Sequence, residues 1–512
     1  MRATATGTAV RERPTVPDSP RVGERRLLCV VLAVALILRI PPWGASLWID
    51  EGTTYSMISR PWGSMIRLFG EEPNGLLYAI LAKPLLVLGD SEWILRLPAV
   101  VGGVLAVVAL WWAAQELELP RAALPAAALF AVSPLAVKIS ADARPYPLVV
   151  LVACLSVATL ARANRASGTR WWLAYVACVV ALTYLNALAL LIVSIHPLVL
   201  LLRRPVRWQP WLASLAAAAL ASLPMAVLLA RDRARRNPLY WLSSDSVGDL
   251  AREMAKFFGY HPLLAALELG VVIAAAVVFR RRRGELSAAG HLRHPLIPIL
   301  GWAALPPLFV FAISQISPML KDRYFIVALP GACLLVAICL LPWRRPVRAG
   351  LLAVILLGSV AVAADRNWRL ERMGEDWRAA VRELESMRAP GDPVIFDGAD
   401  GLAVAGYYSA QFRLADGRAA VTQWDRELPP RVLAFQPPGG YSRVPVGPIP
   451  ADTLAAEAQR TGRVFVVEMD YDLVGPQSFA GPGAEWARAH CSVDDRVHPR
   501  VVLILITACR TG

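Results

Sequence analysis

The sequence predicts a polytopic α-helical membrane protein that ends in a small α/β domain. Three observations carry this. Of 512 residues, 56% are hydrophobic and only 18% charged, where soluble domains run near 45–50% and about 25%. Several apolar runs approach the roughly 20 residues that cross a bilayer core. After the last of these runs the pattern changes to short β-branched segments alternating with helical spacing.

Residues 1–26 are polar and rich in Arg and Pro, and are predicted to be a disordered cytoplasmic arm. The first span covers 27–42. It lacks a small-residue cleavage site before its polar flank, so it reads as a retained span and not as a signal peptide. Residues 43–89 are too polar and too interrupted by Gly and Pro for one span. Within them, the amphipathic spacing of 56–69 predicts a helix lying in the interface plane. Further spans are predicted at 92–115, 122–139, 147–161, 171–186, 187–202, 211–230, 262–279, 295–315, 324–342 and 347–364, about eleven in all. Residues 27–364 are thus the transmembrane domain, with 43–89 as its first outer loop.

The arginines supply an orientation. With the arm in the cytoplasm, Arg162, Arg165 and Arg170, then Arg203, Arg204 and Arg207, then Arg280 to Arg283, then Arg344, Arg345 and Arg348 all fall on the cytoplasmic side, as the positive-inside rule requires. An odd number of spans sends 365–512 outside. One basic group, Arg231, Arg233, Arg235 and Arg236, falls on the outer side. It marks either a miscounted span or a surface that meets anionic headgroups or phosphate. The net charge of +14 therefore reads as topology beside anionic lipid. No basic stripe with interleaved aromatics points to a nucleic-acid partner. Tryptophans near span ends, among them Trp43, Trp111, Trp171 and Trp208, read as interfacial anchors.

In the tail, 376–387 has helical spacing, and 393–396, 463–469 and 501–507 are short strand-like runs bounded by Gly, Pro or Asp. That alternation predicts an extracytoplasmic α/β domain. It holds no nucleophile motif and no Gly-rich phosphate loop. Cys491 and Cys509 have the chance to pair if the tail faces an oxidising compartment. The other five cysteines lie in apolar runs and read as small hydrophobes. No CxxC or His-rich metal spacing is present, and His196 and His261, at span ends, read as packing or interface residues.

The residues that draw attention chemically are Leu47-Trp48-Ile49-Asp50-Glu51. Two adjacent carboxylates directly after a span sit where ionised groups are costly unless solvated or paired. An acid at such a site serves as a general base if it reaches a substrate proton; otherwise it is an ordinary solvated loop acid. The pattern continues with Pro73-Asn74-Gly75-Leu76-Leu77-Tyr78, Gly89-Asp90-Ser91-Glu92, Arg96-Leu97-Pro98, Ser133-Pro134 and Asp142-Ala143-Arg144-Pro145-Tyr146. Later come Pro318, Arg323-Tyr324 and Asp376-Trp377-Arg378.

In order and spacing this layout resembles the GT-C membrane glycosyltransferases, in the branch of protein O-mannosyltransferases and lipid A aminoarabinose transferases. The resemblance implies inverting transfer of a sugar from a polyprenyl-phosphate donor to an acceptor hydroxyl on the outer face of the cell membrane, with mannose the favoured sugar. The acceptor is a protein, a glycan or a glycolipid. Asp50 matches the catalytic base and Glu51 its supporting carboxylate. Arg144 and Arg323 match positions near the donor phosphate, and Tyr146 and Tyr324 help shape that pocket. Asp142 stands where relatives often carry Glu, and Asn74 where some carry Lys or His. The lipid-linked sugar is the donor substrate and no further cofactor is implied. Relatives without a required metal carry the same acidic pair, so no metal is assigned, although adjacent carboxylates are able to hold a divalent cation. The chemistry agrees: an oxocarbenium-like displacement needs a base for the incoming hydroxyl, and guanidinium forks stabilise a leaving phosphate. The alternative reading is a polytopic transporter or flippase for a lipid-linked or anionic substrate, with Asp50 and Arg144 lining a passage. No inverted repeat or pair of broken helices supports it in the sequence. A third reading, a non-catalytic scaffold with a decayed site, is separated from both by substitution of Asp50.

Overall fold

The computed structural model describes residues 22–40, 45–70, 74–166, 168–203, 205–235, 246–281, 290–373, 375–398, 400–420, 427–435, 448–469 and 481–509. Most of the predicted arm, Trp43 and Arg236 lie outside the described residues, as do the side chains of Arg233 and Arg235; Arg231 is exposed.

Every apolar run predicted to be a span is helical. Among the described residues, six helices are long and apolar enough to cross a membrane: Glu92–Glu116, Tyr146–Arg165, Trp208–Asp232, Leu296–Ser314, Asp322–Leu340 and Arg345–Asn367. Two bent pairs bring the number to eight if each is one span. The remaining predicted runs are the 18-residue helix Val22–Arg39 and the shorter apolar helices Arg170–Leu185 and Ala187–Leu200. Of the six, Asp322–Leu340 is the most enclosed, whereas Arg345–Asn367 presents most of its surface outward. The chain is a multi-pass membrane protein.

The bends have local causes. The predicted span 122–139 is Pro120–Val132 followed by Pro134–Ser140 at 57°. Pro134 has no N–H to continue the ladder, and the residue before a proline avoids the α region. Ser133 accordingly leaves it (φ −54°, ψ 123°), and its Oγ accepts from the Ala136 N–H at 3.4 Å. The second pair, Val247–Phe257 and Pro262–Val278, bends by 87° at Gly259, whose φ of +88° suits glycine. A Cβ there would come within 2.4 Å of Leu264 Cβ.

The segment 56–69, predicted as one helix, is two. Pro61 divides it into Ile49–Ser59 and Trp62–Leu68. The first of these is buried from Tyr55 to Ile58, while Trp62 and Ile66 of the second are exposed.

Among the described residues, the tail is a five-stranded sheet with helices, β1 Val394–Asp397, β2 Val432–Phe435, β3 Arg463–Met469, β4 Ser492–His498 and β5 Val501–Thr507. The order is β2-β1-β3-β5-β4; β1 is parallel to both β2 and β3, while β5 is antiparallel to β3 and β4. Cys491 and Cys509 form a disulfide flanking the β4–β5 hairpin.

Strand alternation sends side chains to two cores. Ile395, Val464, Val466, Ile504 and Ile506 pack with Leu454 and Ala484 on one face. Val394, Phe396, Phe465, Val467 and Leu503 point the other way and join Trp377, Leu402 and Val404 in a core continuous with the membrane helices. The tail is therefore packed into the membrane part.

The contact is close at helix Gly401–Tyr408, which lies on Ile49–Ser59. A Cβ on Gly52 would approach Val404 Cγ2 to 2.5 Å and the Val404 nitrogen to 2.9 Å, so only glycine lets the two helices meet at this distance. Ser56 Oγ donates to the Ala419 carbonyl at 2.7 Å, and the Leu47 N–H donates to Tyr408 Oη at 2.7 Å.

Candidate active site

The site is organised by the N-terminus of helix Ile49–Ser59, where Asp50 and Glu51 occupy the first turn. Carboxylates are favoured there because the unpaired N–H groups and the macrodipole present positive charge. The two acids have different surroundings. Glu51 is fully buried. Its Oε1 accepts from Arg96 Nε at 2.7 Å and from the Ala143 N–H at 2.7 Å. Its Oε2 accepts from Arg96 Nη2 at 2.6 Å and from the Trp48 N–H at 3.3 Å. A carboxylate has about four lone-pair sites, and these four donors occupy them. Arg96 is buried too, and also donates to the carbonyls of Ala45 and Ser46 at 3.3 and 3.1 Å. Glu51 thus ties together the helix it starts, the span Glu92–Glu116 and the loop after Ser140.

Asp50 is partly open, with its side chain 31% exposed. Its Oδ2 lies 3.7 Å from Arg144 Nη2 and 4.0 Å from Arg323 Nη1. Arg144 reaches it because the bend at Pro134 directs the 141–145 turn toward this helix, and Arg144 also donates to the Asp50 carbonyl at 3.5 Å. Arg323 comes from another element, the start of Asp322–Leu340. Asp322 Oδ1 accepts the Arg323 N–H at 2.7 Å, while its Oδ2 lies 3.3 Å from Lys138 Nζ and 3.9 Å from Lys256 Nζ. Arg323 is therefore held by an organised turn, not by a loose charged loop. The Arg323 guanidinium stands 6.0 Å from the Trp48 ring centre and 5.5 Å from that of Tyr324. Tyr146, buried at the first turn of Tyr146–Arg165, and Tyr324 both lie within electrostatic range of Arg323.

Two further carboxyls surround the pair. Burial, and then the negative charge of Glu51, push the Asp142 carboxyl up to about 7, against the opposing pull of Lys138 and Arg96. Glu375, at the start of the tail, accepts from the Ile49 N–H at 3.2 Å and from Trp377 Nε1 at 2.8 Å. Burial raises it to about 7 despite these donors. The tail thus supplies an acceptor for the first N–H of the helix that carries Asp50.

The six site residues expected from the sequence come together, from three separate stretches of chain. Sequence reasoning missed Arg96 as the partner of Glu51, and Glu375 as a cap. Arg96 left a signal: a charge inside the predicted span 92–115 is expected to face a buried acid. Asn74 is exposed at the turn before Leu76–Ala82. His196 is buried far from this cluster in sequence and packing, with Nδ1 2.9 Å from Tyr175 Oη, and His261 is exposed and accepts the Leu263 N–H at 3.3 Å. Among the described residues, no group of three or more His, Cys, Asp or Glu is arranged to hold a metal ion.

Residues 75–231, the segment that carries Arg96, Asp142, Arg144 and Tyr146, match the family described as dolichyl-phosphate-mannose-protein mannosyltransferase. No curated protein sequence matches the chain. Among solved structures, ArnT from Cupriavidus metallidurans bound to undecaprenyl phosphate superposes with a TM-score of 0.57 at 12% identity, covering 94% of this chain and 97% of that one. The same protein in the apo state gives a TM-score of 0.54 at 13% identity over the same shares of the two chains. The shared fold thus includes both the helical part and the tail. The family match spans the segment that brings Arg96 to Glu51 and Arg144 to Asp50, and the chain as a whole shares the fold of ArnT.

Proposed function

We propose that the protein transfers a sugar from a polyprenyl-phosphate donor to an acceptor hydroxyl, inverting the anomeric carbon, on the outer face of the cell membrane. The observation that carries the reading is the Asp50 carboxylate held between Arg144 and Arg323 at 3.7 and 4.0 Å. Two guanidiniums converging on one partly open acid form a site for an anion as well as a resting place for the acid. An arriving donor phosphate takes up the guanidiniums and releases the Asp50 oxygens. Asp50 then accepts the acceptor's hydroxyl proton as the new glycosidic bond forms on the face opposite the phosphate. The sugar–phosphate bond breaks and the phosphate leaves with the electron pair, its growing charge met by Arg144 and Arg323. Tyr146 and Tyr324 shape the wall beside Arg323. Glu51, its lone pairs occupied, positions the helix and does not touch substrate.

The undecaprenyl phosphate of the ArnT structure supports a lipid-linked donor, and the description of the matched family favours mannose. In this reading 27–364 is the catalytic transmembrane domain, with a cytoplasmic N-terminus, and 365–512 is an extracytoplasmic accessory domain. The acceptor is a protein, a glycan or a glycolipid.

The test is transfer of labelled mannose from polyprenyl-phosphate mannose to cell-envelope material by proteoliposomes. Asp50→Asn is expected to lower the rate by about 10²–10⁴, the usual worth of a general base, while the protein inserts and melts as the wild type does. Transfer at the wild-type rate in that variant refutes the assignment. Mass-spectrometric comparison of surface glycans with and without the protein reports the sugar and the acceptor together.

A further inference from the structure

Two of the sequence motifs are not used by the transfer chemistry: Gly89-Asp90-Ser91-Glu92 and Asp376-Trp377-Arg378. They meet in space. A cleft of about 400 Å³ opens between the 89–92 loop and the tail, lined by Asp90, Glu92, Arg378, Arg382, Tyr407 and Tyr408. Its volume lies within the roughly 300–1,000 Å³ of small-molecule sites.

The lining is organised. Tyr407 Oη donates to the Asp90 carbonyl at 2.6 Å, and Tyr55 Oη donates to Asp90 Oδ2 at 3.3 Å. Tyr408 Oη donates to Glu92 Oε1 at 3.1 Å, and Arg378 pairs with the same oxygen. The Tyr55–Tyr407 and Tyr407–Tyr408 ring pairs are edge-to-face, each with centroids 4.8 Å apart. These contacts fix the ring orientations. Asp90 and Arg382 are exposed at the mouth.

The chemistry of the cleft points to one class of ligand. Two acids and two guanidiniums cancel, so net charge selects neither a phosphate nor an amine. Carboxylates accept from vicinal hydroxyls, guanidiniums donate to hydroxyl and ring oxygens, and fixed tyrosine rings offer flat surfaces to the C–H face of a sugar. The position points to a role. Tyr55 lies on the helix that carries Asp50, about 7.5 Å further along its axis at 1.5 Å per residue. Tyr408 also holds the Leu47 N–H just before that helix.

We infer that this cleft binds a neutral saccharide and, resting on the transfer reaction proposed above, that it is an acceptor subsite which grips a sugar remote from the reacting hydroxyl. Binding energy from such a remote contact goes into orienting the reacting group.

The test uses the full-length protein in nanodiscs, probed with an array of neutral, anionic and amino-sugar oligosaccharides. Neutral glycans are expected to bind. Asp90→Asn combined with Arg382→Ala, both at exposed positions, is expected to weaken that binding at least about tenfold, as loss of hydrogen bonds to charged groups does, with an unchanged melting temperature. Asp50→Asn is expected to leave glycan binding intact. The inference is overturned if no glycan binds, if only charged glycans bind, or if the double variant binds as the wild type does. A failure of the transfer reading shows separately, as undiminished transfer by Asp50→Asn, and leaves the glycan-binding result standing on its own.

Discussion

Replacing either partner of the Glu51–Arg96 pair separates a supporting acid from a reacting one. The Arg96 and Glu51 side chains are 3% and 0% exposed, and the guanidinium bridges both carboxylate oxygens at 2.7 and 2.6 Å. In Glu51→Gln the amide oxygen still accepts from two of the four donors, but the new NH₂ faces the other two, and the buried guanidinium loses its counter-charge. Breaking a buried pair in this way costs about 3–5 kcal/mol. At roughly 2 °C per kcal/mol for a large chain, the melting temperature in detergent falls by roughly 6–10 °C. Arg96→Gln leaves a buried unpaired carboxylate and falls by a similar amount. The double variant, with an amide facing an amide, recovers part of the loss because neither charge is left alone, giving a coupling of at least about 1 kcal/mol. The assay is thermal unfolding of the four proteins side by side, with transfer measured on each. Additive losses, or a Glu51→Gln protein that melts like the wild type and yet is inactive, refute the reasoning; the latter outcome moves Glu51 into the chemistry.

Three other expectations follow from the geometry. Arg144→Lys and Arg323→Lys each keep the charge but lose the fork, and each is expected to lower kcat/KM for the lipid donor by at least about tenfold; unchanged kinetics in both removes the phosphate from this site. Gly52→Ala places a methyl 2.5 Å from Val404 Cγ2, and the displaced helix is expected to lose about 10²-fold in transfer without loss of membrane insertion, as read by protease protection. For Asp142, a folded-state carboxyl raised to about 7 stays protonated while the unfolded one, near 3.9, ionises. The unfolded state then binds fewer protons, so stability falls as pH rises from about 4 through about 7; Asp142→Asn is expected to reduce this slope in melting temperature, and Glu375, raised in the same direction, accounts for what is left.

The sequence made the membrane helices legible because apolar length is a local property, and β3 and β5 legible because their β-branched runs are bounded by turn residues. It did not make β4 legible: Ser492–His498 is a charged, largely exposed edge strand, and edge strands carry charge to discourage further pairing. Nor did β2 show, with only Val432–Phe435 to mark it. Asp50, Arg144 and Arg323 were found through motif order, while their convergence depends on the bend at Pro134 and on Asp322 being held by two lysines, which are tertiary facts. The burial of 55–58 was not legible for a related reason. Its cover includes the tail, whose partner residues lie more than three hundred positions away, as the Ser56–Ala419 bond at a separation of 363 shows.

That separation has a consequence in time. The Ile49 N–H is synthesised 326 residues before the Glu375 carboxylate that accepts it. At about 5–20 residues per second, this is a wait of roughly 16–65 s. Through that interval the helix bearing Asp50 has left the ribosome without its cap, its Tyr408 hydroxyl contact or its Val404 neighbour. A chain released after Arg345–Met373 would have the membrane helices described above and none of these contacts. Completion of the contacts around the start of this helix is thereby coupled to synthesis of the tail.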